Sequence, residues 1–299
     1  MCNLEVLFTT MTKTNDNINK VAVALGLGFF DCVHVGHRRV FDTLINFART
    51  NDCLSACMSF SDNPVSKQKL VYDLDDRKRL MVQSGLDFVC AFEFEKIKEL
   101  SALDFLNYCL DLFDLKFVAC GKDFRFGKDA LGDTALLQKF CQQHNIECHV
   151  VDTLLVDDKK VSSSLIKELL DSGEIGQANE LLGSPYSISG VVAHGKGIGH
   201  TIVPTINILP KLHNQQLLSG VYGTYTLLDE TWYRSVTNIG SQPTVDCEQS
   251  FVETHILNFS GDLYGKFVTV RFEKRLRSIV KFDNIEALKR QIDKDKEWI

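Results

Sequence analysis

The sequence predicts an α/β protein in which a parallel sheet with helices is followed by an antiparallel β-barrel and a closing helix. From residue 21 to about 156, short apolar runs alternate with amphipathic segments, as in a parallel sheet covered by helices. From residue 186 to 282 the helical periodicity gives way to short alternating segments separated by Gly, Asn and Pro, which favours a barrel. We therefore predict two domains, covering 1–183 and 184–299.

The first domain contains five short apolar runs, spaced so that a helix fits between successive strands. The predicted strands cover 21–28, 54–60, 88–92, 117–121 and 147–151. The predicted helices begin after residue 36 and then cover 74–84, 102–112 and 134–144. Ligands of such sheets collect at the carboxyl ends of the strands, so we expect the binding residues of this domain at that edge.

Two further helices, 162–170 and 175–182, are predicted before the barrel. The alternating segments beyond them predict strands over 188–192, 220–227, 232–236, 252–259 and 267–272. The closing helix is predicted over 284–296, with Ile285, Leu288 and Ile292 on one face.

Composition narrows the class of protein. The 299 residues are 44% hydrophobic and 24% charged, which is enough to bury a core. The net charge of -6, from 33 Lys+Arg and 39 Asp+Glu, argues against a nucleic-acid or membrane binder. A run of about 18 apolar residues and a signal-peptide h-region are both missing from the sequence. Ten scattered cysteines are typical of reduced thiols, so we expect a cytoplasmic protein.

The clearest motif is a pair of histidines, His34 and His37, with Gly36 directly before the second. The pair lies where a predicted strand ends and a helix begins, because apolar residues recur at helical spacing from Val40 to Ala48. A helix N-terminus offers free N–H groups and partial positive charge, which suit a phosphate. Two imidazoles there can stabilise charge in a transition state. Two ordinary turn histidines, or half of a metal site, are the alternatives.

Two further segments of this domain carry polar and aromatic groups suited to a nucleotide. In the loop 121–129, Phe124 and Phe126 can stack on a flat ring while Arg125 pairs with phosphate; a charged surface hairpin is the alternative. The hydroxyls of Ser162–Ser164 can bind phosphate, with Lys167 nearby, or simply cap the helix.

The second domain combines a Gly-rich loop with polar strand residues. The glycines of the loop are Gly195, Gly197 and Gly199. Beyond them, Thr205 and Asn207 point to the same side of an extended segment and suit a Mg²⁺ held mainly by phosphates and water; an ordinary β-turn is the alternative. Glu253 lies on an alternating strand, where it is either a solvated residue or a general base.

Together these motifs resemble those of the bacterial bifunctional riboflavin kinase/FAD synthetase family, in the same order and from about residue 21 onwards. The matching segments are 30–37, 123–127, 162–164, 204–207, 220–222, 238–244, 253–255 and 263–265. The resemblance implies a Rossmann-like nucleotidyltransferase domain followed by a kinase barrel. It also implies two reactions, in which riboflavin and ATP give FMN, and FMN and a second ATP give FAD and pyrophosphate.

The resemblance assigns roles to individual residues. Glu253 would deprotonate the ribityl hydroxyl, Thr205 and Asn207 would hold Mg²⁺, and His34 and His37 would stabilise adenylyl transfer. The remaining implied nucleotide or phosphate contacts are Phe30, Asp31, Gly36, Ser162, Ser163, Ser164, Lys167, Gly195, Gly197 and Gly199. The implied flavin contacts are Asp123, Phe124, Arg125 and Phe126. The partners expected are small molecules only, with the protein a monomer or weak homo-oligomer.

Some positions differ from the family pattern. Cys32 replaces a glycine, Asn63 a histidine and Leu165 an arginine, and Ile202-Val203 stands where Gly-Phe is usual. Two alternatives therefore remain open: an enzyme that keeps one activity, with a weakened adenylyltransferase, or a flavin- or nucleotide-binding sensor without catalysis.

Overall fold

The computed structural model describes residues 7–8, 21–61, 69–193, 205–208, 217–241 and 250–298. Within it the chain forms two compact units, residues 1–163 and 164–299. The two helices around residue 170 therefore belong to the same unit as the barrel, and the predicted domain boundary after residue 183 stays a prediction. Among the described residues, no helix combines the length and apolarity required to cross a bilayer.

The first unit is built on a six-stranded sheet in the order β1-β4-β3-β2-β5-β6. The strands are β1 (Leu7–Phe8), β2 (Ala22–Leu27), β3 (Leu54–Phe60), β4 (Phe88–Phe92), β5 (Asp114–Gly121) and β6 (Glu147–Val151). All neighbours pair in parallel except the short β1, which is antiparallel to β4. The predicted parallel sheet is thus confirmed. Strand β1 was not predicted, because two residues are too few to show an alternating pattern.

Helices connect these strands, as the apolar periodicity predicts. They are α1 (Val35–Asn51), α2 (Leu74–Gln83), α3 (Phe94–Ile97), α4 (Ala102–Leu112) and α5 (Thr134–Gln143). Side chains cap their first turns: His34 caps α1, Asp73 caps α2, and Asp133 caps α5, each accepting a backbone N–H. A short hairpin, β7 (Leu155–Val156) and β8 (Lys159–Lys160), follows β6 and was not predicted.

The core of this unit lies between the central strands and the helices. Strands β2, β3 and β4 are buried along nearly their whole length, as expected for parallel strands covered on both faces. The predicted apolar stripe of α1 is confirmed, since Val40, Phe41, Leu44 and Ile45 are all buried. This packing holds β2 in place, and the first candidate site lies at the carboxyl ends of β2, β5 and β6.

The second unit begins with α6 (Ser163–Ser172) and α7 (Ile175–Leu182) and continues into a closed antiparallel barrel in the order β10-β13-β12-β11-β14-β9. Its strands are β9 (Ser187–Ala193), β10 (Ile206–Ile208), β11 (Gly220–Leu228), β12 (Thr231–Ser241), β13 (Ser250–Ile256) and β14 (Phe267–Arg277). The closing helix is α8 (Ile285–Asp295). The predicted barrel with its closing helix is confirmed, and β10 is a further strand that was not predicted.

Buried hydroxyl groups fill part of this unit. Thr226, Ser235, Thr224, Thr237 and Thr254 are fully buried, and each lies within 2.8–2.9 Å of the next in that order. Because every hydroxyl can donate and accept, this series of hydroxyls satisfies its own hydrogen-bonding groups without water. It links β11, β12 and β13, and so fixes the strand register on which the second candidate site depends.

Candidate active sites

His34 and His37 form the centre of the first site, between the end of β2 and the start of α1. His34 is the N-cap of α1, and its Nδ1 accepts the backbone N–H of His37 at 3.1 Å. In the neutral ring this leaves the proton on Nε2, which is then a hydrogen-bond donor. The two imidazoles are stacked, with ring centroids 3.5 Å apart. The motif therefore presents two aligned rings at a helix N-terminus.

Neighbouring glycines and Phe30 hold the two rings in this arrangement. The ring of Phe30 packs edge-on against His37, with centroids 5.1 Å apart. A Cβ on Gly28 would approach the Phe30 ring to 2.7 Å, and one on Gly36 would approach the His34 ring to 3.1 Å. The absence of a side chain at Gly36 therefore leaves room for the His34 ring.

The turn between β2 and α1 is strained. Phe30 has φ 53° and Val33 has φ 49°, in the left-handed region that β-branched residues rarely enter. Cys32, which replaces the family's glycine, is buried and does not have positive φ, so its side chain is accommodated without strain at that position.

Burial makes both histidines neutral. Desolvation lowers the pKa of His34 to about 4, against an upward effect from its backbone hydrogen bond. Burial also lowers the pKa of His37 well below its usual value, helped by the adjacent His34. At neutral pH the rings therefore act as neutral hydrogen-bond donors, which can stabilise developing negative charge without themselves carrying a charge.

The rings open onto a cavity of about 270 Å³ at the carboxyl edge of the sheet. Asp123, Phe124, Ser162 and Ser163 also line it, so the structure brings together segments that are far apart in the sequence. Lys160 on β8 lines it too and forms an ion pair with Asp123. Sequence reasoning missed Lys160, because the two-residue strand that carries it leaves no periodic signal.

Other predicted residues of this unit lie elsewhere. Asp31 is buried, and its Oδ1 accepts the backbone N–H of Val71 at 3.0 Å. Phe126 is a buried core residue, packed against Phe105 as well as Phe124. Arg125 is exposed on the surface of the loop. Their predicted ligand contacts stay predictions, while their observed contacts are with the protein itself.

Ser164 and Lys167, which were also predicted to bind phosphate, are not among the residues that line this cavity. Ser164 and Lys167 lie on α6 in the second unit, as does Leu165. Gly195, Gly197 and Gly199 lie outside the described residues, as do Asn63 and the Ile202-Val203 pair.

Glu253 is the centre of the second site. It lies on β13, and its Oε1 accepts a hydrogen bond from the hydroxyl of Thr205 at 3.0 Å. Asn207 on β10 and Asn238 on β12 are its cross-strand partners, so the three residues form a row across three strands. The neighbours Val252 and Thr254 are buried while Glu253 is only partly so, which agrees with the predicted alternation. Asn238 was not predicted as a site residue, since only strand pairing brings it to Glu253.

Two cavities meet at Thr205. One, of about 300 Å³, contains Glu253 and Asn238 and has a largely apolar wall. Residues of the β14–α8 connection and of α8 form that wall: Ile279, Val280, Phe282, Leu288 and Ile292. The other, of about 400 Å³, is lined by Thr254, Phe259 and the segment 260–264. A hydroxyl and a carboxylate in contact thus lie where two separate ligands could meet.

A buried ion pair anchors the apolar wall. Arg277 at the end of β14 donates to both carboxylate oxygens of Asp295, at 2.7–3.1 Å, and Asp295 is 5% exposed. Gln291 donates to the same carboxylate at 2.8 Å. Such bidentate pairs are directional, so this one fixes the orientation of α8 against the barrel.

Comparison with known proteins assigns both units. The family model described as FAD synthetase matches residues 15–165, and that described as riboflavin kinase matches residues 182–299. The bifunctional riboflavin kinase/FMN adenylyltransferases of Bacillus subtilis (strain 168) and Escherichia coli (strain K12) are each 32% identical to this chain, over 91% of it and 90% of their own length. That of Haemophilus influenzae is 31% identical over 94% of this chain and 95% of its own.

A solved structure has a similar fold over most of this chain. A protein from Streptococcus pneumoniae, described as a macrolide-efflux protein, aligns with a TM-score of 0.83 at 26% identity. The alignment covers 92% of this chain and 93% of the other. The chain thus combines a FAD synthetase region, residues 15–165, with a riboflavin kinase region, residues 182–299. The chain belongs to the family of bifunctional riboflavin kinase/FMN adenylyltransferases.

Proposed function

We propose that the barrel phosphorylates riboflavin to FMN and that the first unit adenylylates FMN to FAD, each with ATP. The observation that carries the first step is the Thr205–Glu253 hydrogen bond at the junction of two cavities. Riboflavin, with its flat and largely apolar ring, suits the cavity walled by α8, and the nucleotide suits the cavity beside Phe259.

In the first step Glu253 removes the proton from the terminal ribityl hydroxyl. The oxygen then attacks the γ-phosphorus of ATP, and the bond to the β-phosphate oxygen breaks to release ADP. Glu253 is suited to this role because it is partly buried and already accepts a hydroxyl hydrogen bond, from Thr205. Positioning of the two substrates supplies most of the remaining acceleration.

The side chains of Thr205 and Asn207 would hold Mg²⁺ in this site. The two residues lie two positions apart, and Asn207 is directly opposite Glu253 in the ladder. Neutral oxygens beside one carboxylate fit an ion that keeps most of its water and substrate phosphate ligands. When bound, Mg²⁺ would neutralise phosphate charge.

In the second step a phosphate oxygen of FMN attacks the α-phosphorus of ATP, and pyrophosphate leaves. Negative charge grows on the α-phosphate oxygens, and the neutral imidazoles of His34 and His37 lie at the helix N-terminus where they can donate to it. Lys160, released from Asp123, adds a positive charge for the leaving phosphates. Ser162 and Ser163 supply further donors at the same cavity.

The test is incubation of the purified protein with riboflavin, ATP and Mg²⁺, followed by chromatographic separation of FMN and FAD. Both products are expected, with FMN appearing first. If FMN is the only product, the protein is an enzyme with one activity. If neither FMN nor FAD forms, the result favours a sensor without catalysis. Cytoplasmic location, the monomeric or weakly associating state and the restriction to small-molecule partners remain predictions from the sequence.

A further inference from the structure

Arg77 on α2 is buried against the turn that follows β2, and it belongs to none of the motifs that predicted the first site. Its side chain is among the largest fully buried ones, with the residue 1% exposed. Its Nη1 donates to the Phe29 carbonyl at 3.2 Å and to Ser59 Oγ at 2.6 Å, and its Nη2 donates to the Phe60 carbonyl at 2.8 Å. A buried guanidinium is costly, and the Nε of Arg77 has no hydrogen-bond acceptor among the described residues. The contacts of its two Nη atoms offset part of that cost, and the Asp31 and Asp73 carboxylates oppose the lowering of its pKa by burial.

The acceptors of Arg77 lie at the carboxyl ends of two adjacent strands. Phe60 is the last residue of β3, and Phe29 follows β2 by two residues. Ser59 strengthens the connection, because its hydroxyl donates to the same Phe29 carbonyl at 2.9 Å. The planar fork of one arginine therefore ties the turn after β2 to the end of β3.

This tie leads directly to the histidines. Fixing the Phe29 carbonyl fixes the peptide plane that joins Phe29 to Phe30, the residue held at φ 53°. The Phe30 ring packs edge-on against His37, and His37 stacks on His34. The Arg77 guanidinium also lies 4.7 Å from the centre of the Phe29 ring. A shift at Arg77 would reach the imidazoles through the Phe29–Phe30 peptide and the Phe30 ring.

We propose that Arg77 is a positioning residue for adenylyl transfer, holding the strained turn so that Phe30 keeps His37 and His34 aligned at the cavity. It does not contact substrate, since it is fully buried and both of its Nη atoms donate to protein acceptors. The inference rests on the proposed function of this site as the FMN adenylyltransferase.

The test is Arg77→Lys, which keeps the positive charge but loses the planar fork. The matched control is Arg79→Lys, on the same helix but with its side chain 34% exposed and paired with Asp76. For Arg77→Lys we expect kcat of FAD formation from FMN to fall about 10- to 100-fold, the scale of a small misplacement of catalytic groups. We expect KM for FMN and ATP to change less than about twofold, since only transition-state contacts are lost. Arg79→Lys should match the unsubstituted protein.

Nitrogen-15 NMR of the imidazoles separates positioning from general loss of stability. In Arg77→Lys the signals of His34 and His37 should move, because the hydrogen bond to His34 Nδ1 and the ring stacking change. Ser59→Ala, a smaller change, should move them in the same direction with a smaller loss of kcat. Unmoved signals, or unchanged kcat in both variants, would overturn the role of Arg77. If the unsubstituted protein itself makes no FAD from FMN, the proposed function fails instead.

Discussion

The two sites of this protein assemble their residues in different ways. In the first unit, the two histidines are three residues apart, and helix capping alone brings the backbone N–H of His37 to His34. In the barrel, Thr205 and Glu253 are 48 residues apart and meet only because β10 pairs with β13. The hydrogen bond of the first arrangement is local, within one turn of helix, whereas a slip of one residue in β13 would turn Glu253 to the opposite face.

The same contrast extends to charge. The imidazoles of the first site are buried and neutral, and they stabilise charge by donating hydrogen bonds. The second site places a carboxylate beside a hydroxyl on the face of a strand, an arrangement suited to accepting a proton. Each unit should therefore respond to its own substitutions.

Glu253→Gln should give the largest effect. The amide cannot accept the ribityl proton, so FMN formation should fall by about 10²–10⁴-fold, the usual contribution of a general base. Conversion of supplied FMN to FAD should be unchanged, because the histidines lie in the other compact unit. Chromatography of both reactions in one preparation measures the two rates.

The matched control for that variant is Glu273→Gln, which removes a carboxylate that pairs with Arg271 on β14. It should leave both rates within about twofold, since a partly exposed ion pair contributes little. Equal loss of both activities in Glu253→Gln would contradict the separation of the two sites.

His37→Ala should reverse the pattern. Loss of one transition-state donor is expected to slow FAD formation by about 10²–10³-fold, while FMN formation continues. The control is His149→Ala, which removes an exposed histidine from β6. An unchanged rate of FAD formation in His37→Ala would remove this histidine from the mechanism.

What the sequence could predict follows from the same contrast. His34, Gly36 and His37 were found because a contiguous motif between a strand and a helix is visible along the chain. The row of Asn207, Glu253 and Asn238 was only partly predictable, because register is a property of paired strands. A contiguous pattern thus points to the histidine pair directly, whereas residues that meet only through pairing, such as Asn238 and Lys160, are missed.

Burial was the second feature that the sequence did not reveal. Phe126 is part of a motif whose rings could stack on a ligand, yet its ring packs in the core against Phe105. Asp31 sits inside the histidine motif, yet it binds the backbone of Val71, 40 residues away. A residue that binds a ligand and a residue that makes a structural contact of this kind can have the same type and spacing, so the sequence does not distinguish them.

Gly36→Ala should have an intermediate effect. The added Cβ would lie 3.1 Å from the His34 ring and push it away from His37, so FAD formation should slow about tenfold. Gly176→Ala is the control, because nothing lies within 4 Å of a Cβ at that helical glycine. The measurement is the steady-state rate of FAD formation in the two variants. Equal rates would mean that FAD formation does not depend on the stacking of the His34 and His37 rings.

The smallest predicted effect is a difference in pH-dependent stability. The pKa of His34 is about 4 in the folded protein and 6.5 when exposed, because burial disfavours the charged ring. Between these values the unfolded chain binds more protons than the folded protein does. The free energy of unfolding therefore increases with pH in this range and decreases as the pH falls towards 4. From pH 7 to pH 5 this one group should lower stability by about 2 kcal/mol.

His34→Asn isolates that contribution, because asparagine can still cap α1 but does not titrate in this range. Urea unfolding followed by circular dichroism measures the free energy of unfolding at each pH. Its decrease from pH 7 to pH 5 should be smaller in His34→Asn than in the unsubstituted protein, whereas His149→Asn should show the full decrease. Both tryptophans, Trp232 and Trp298, lie in the second unit, so their fluorescence reports the barrel separately and should not distinguish the variants. An equal pH dependence of the circular dichroism transition in His34→Asn and the unsubstituted protein would mean that His34 is not held neutral by burial.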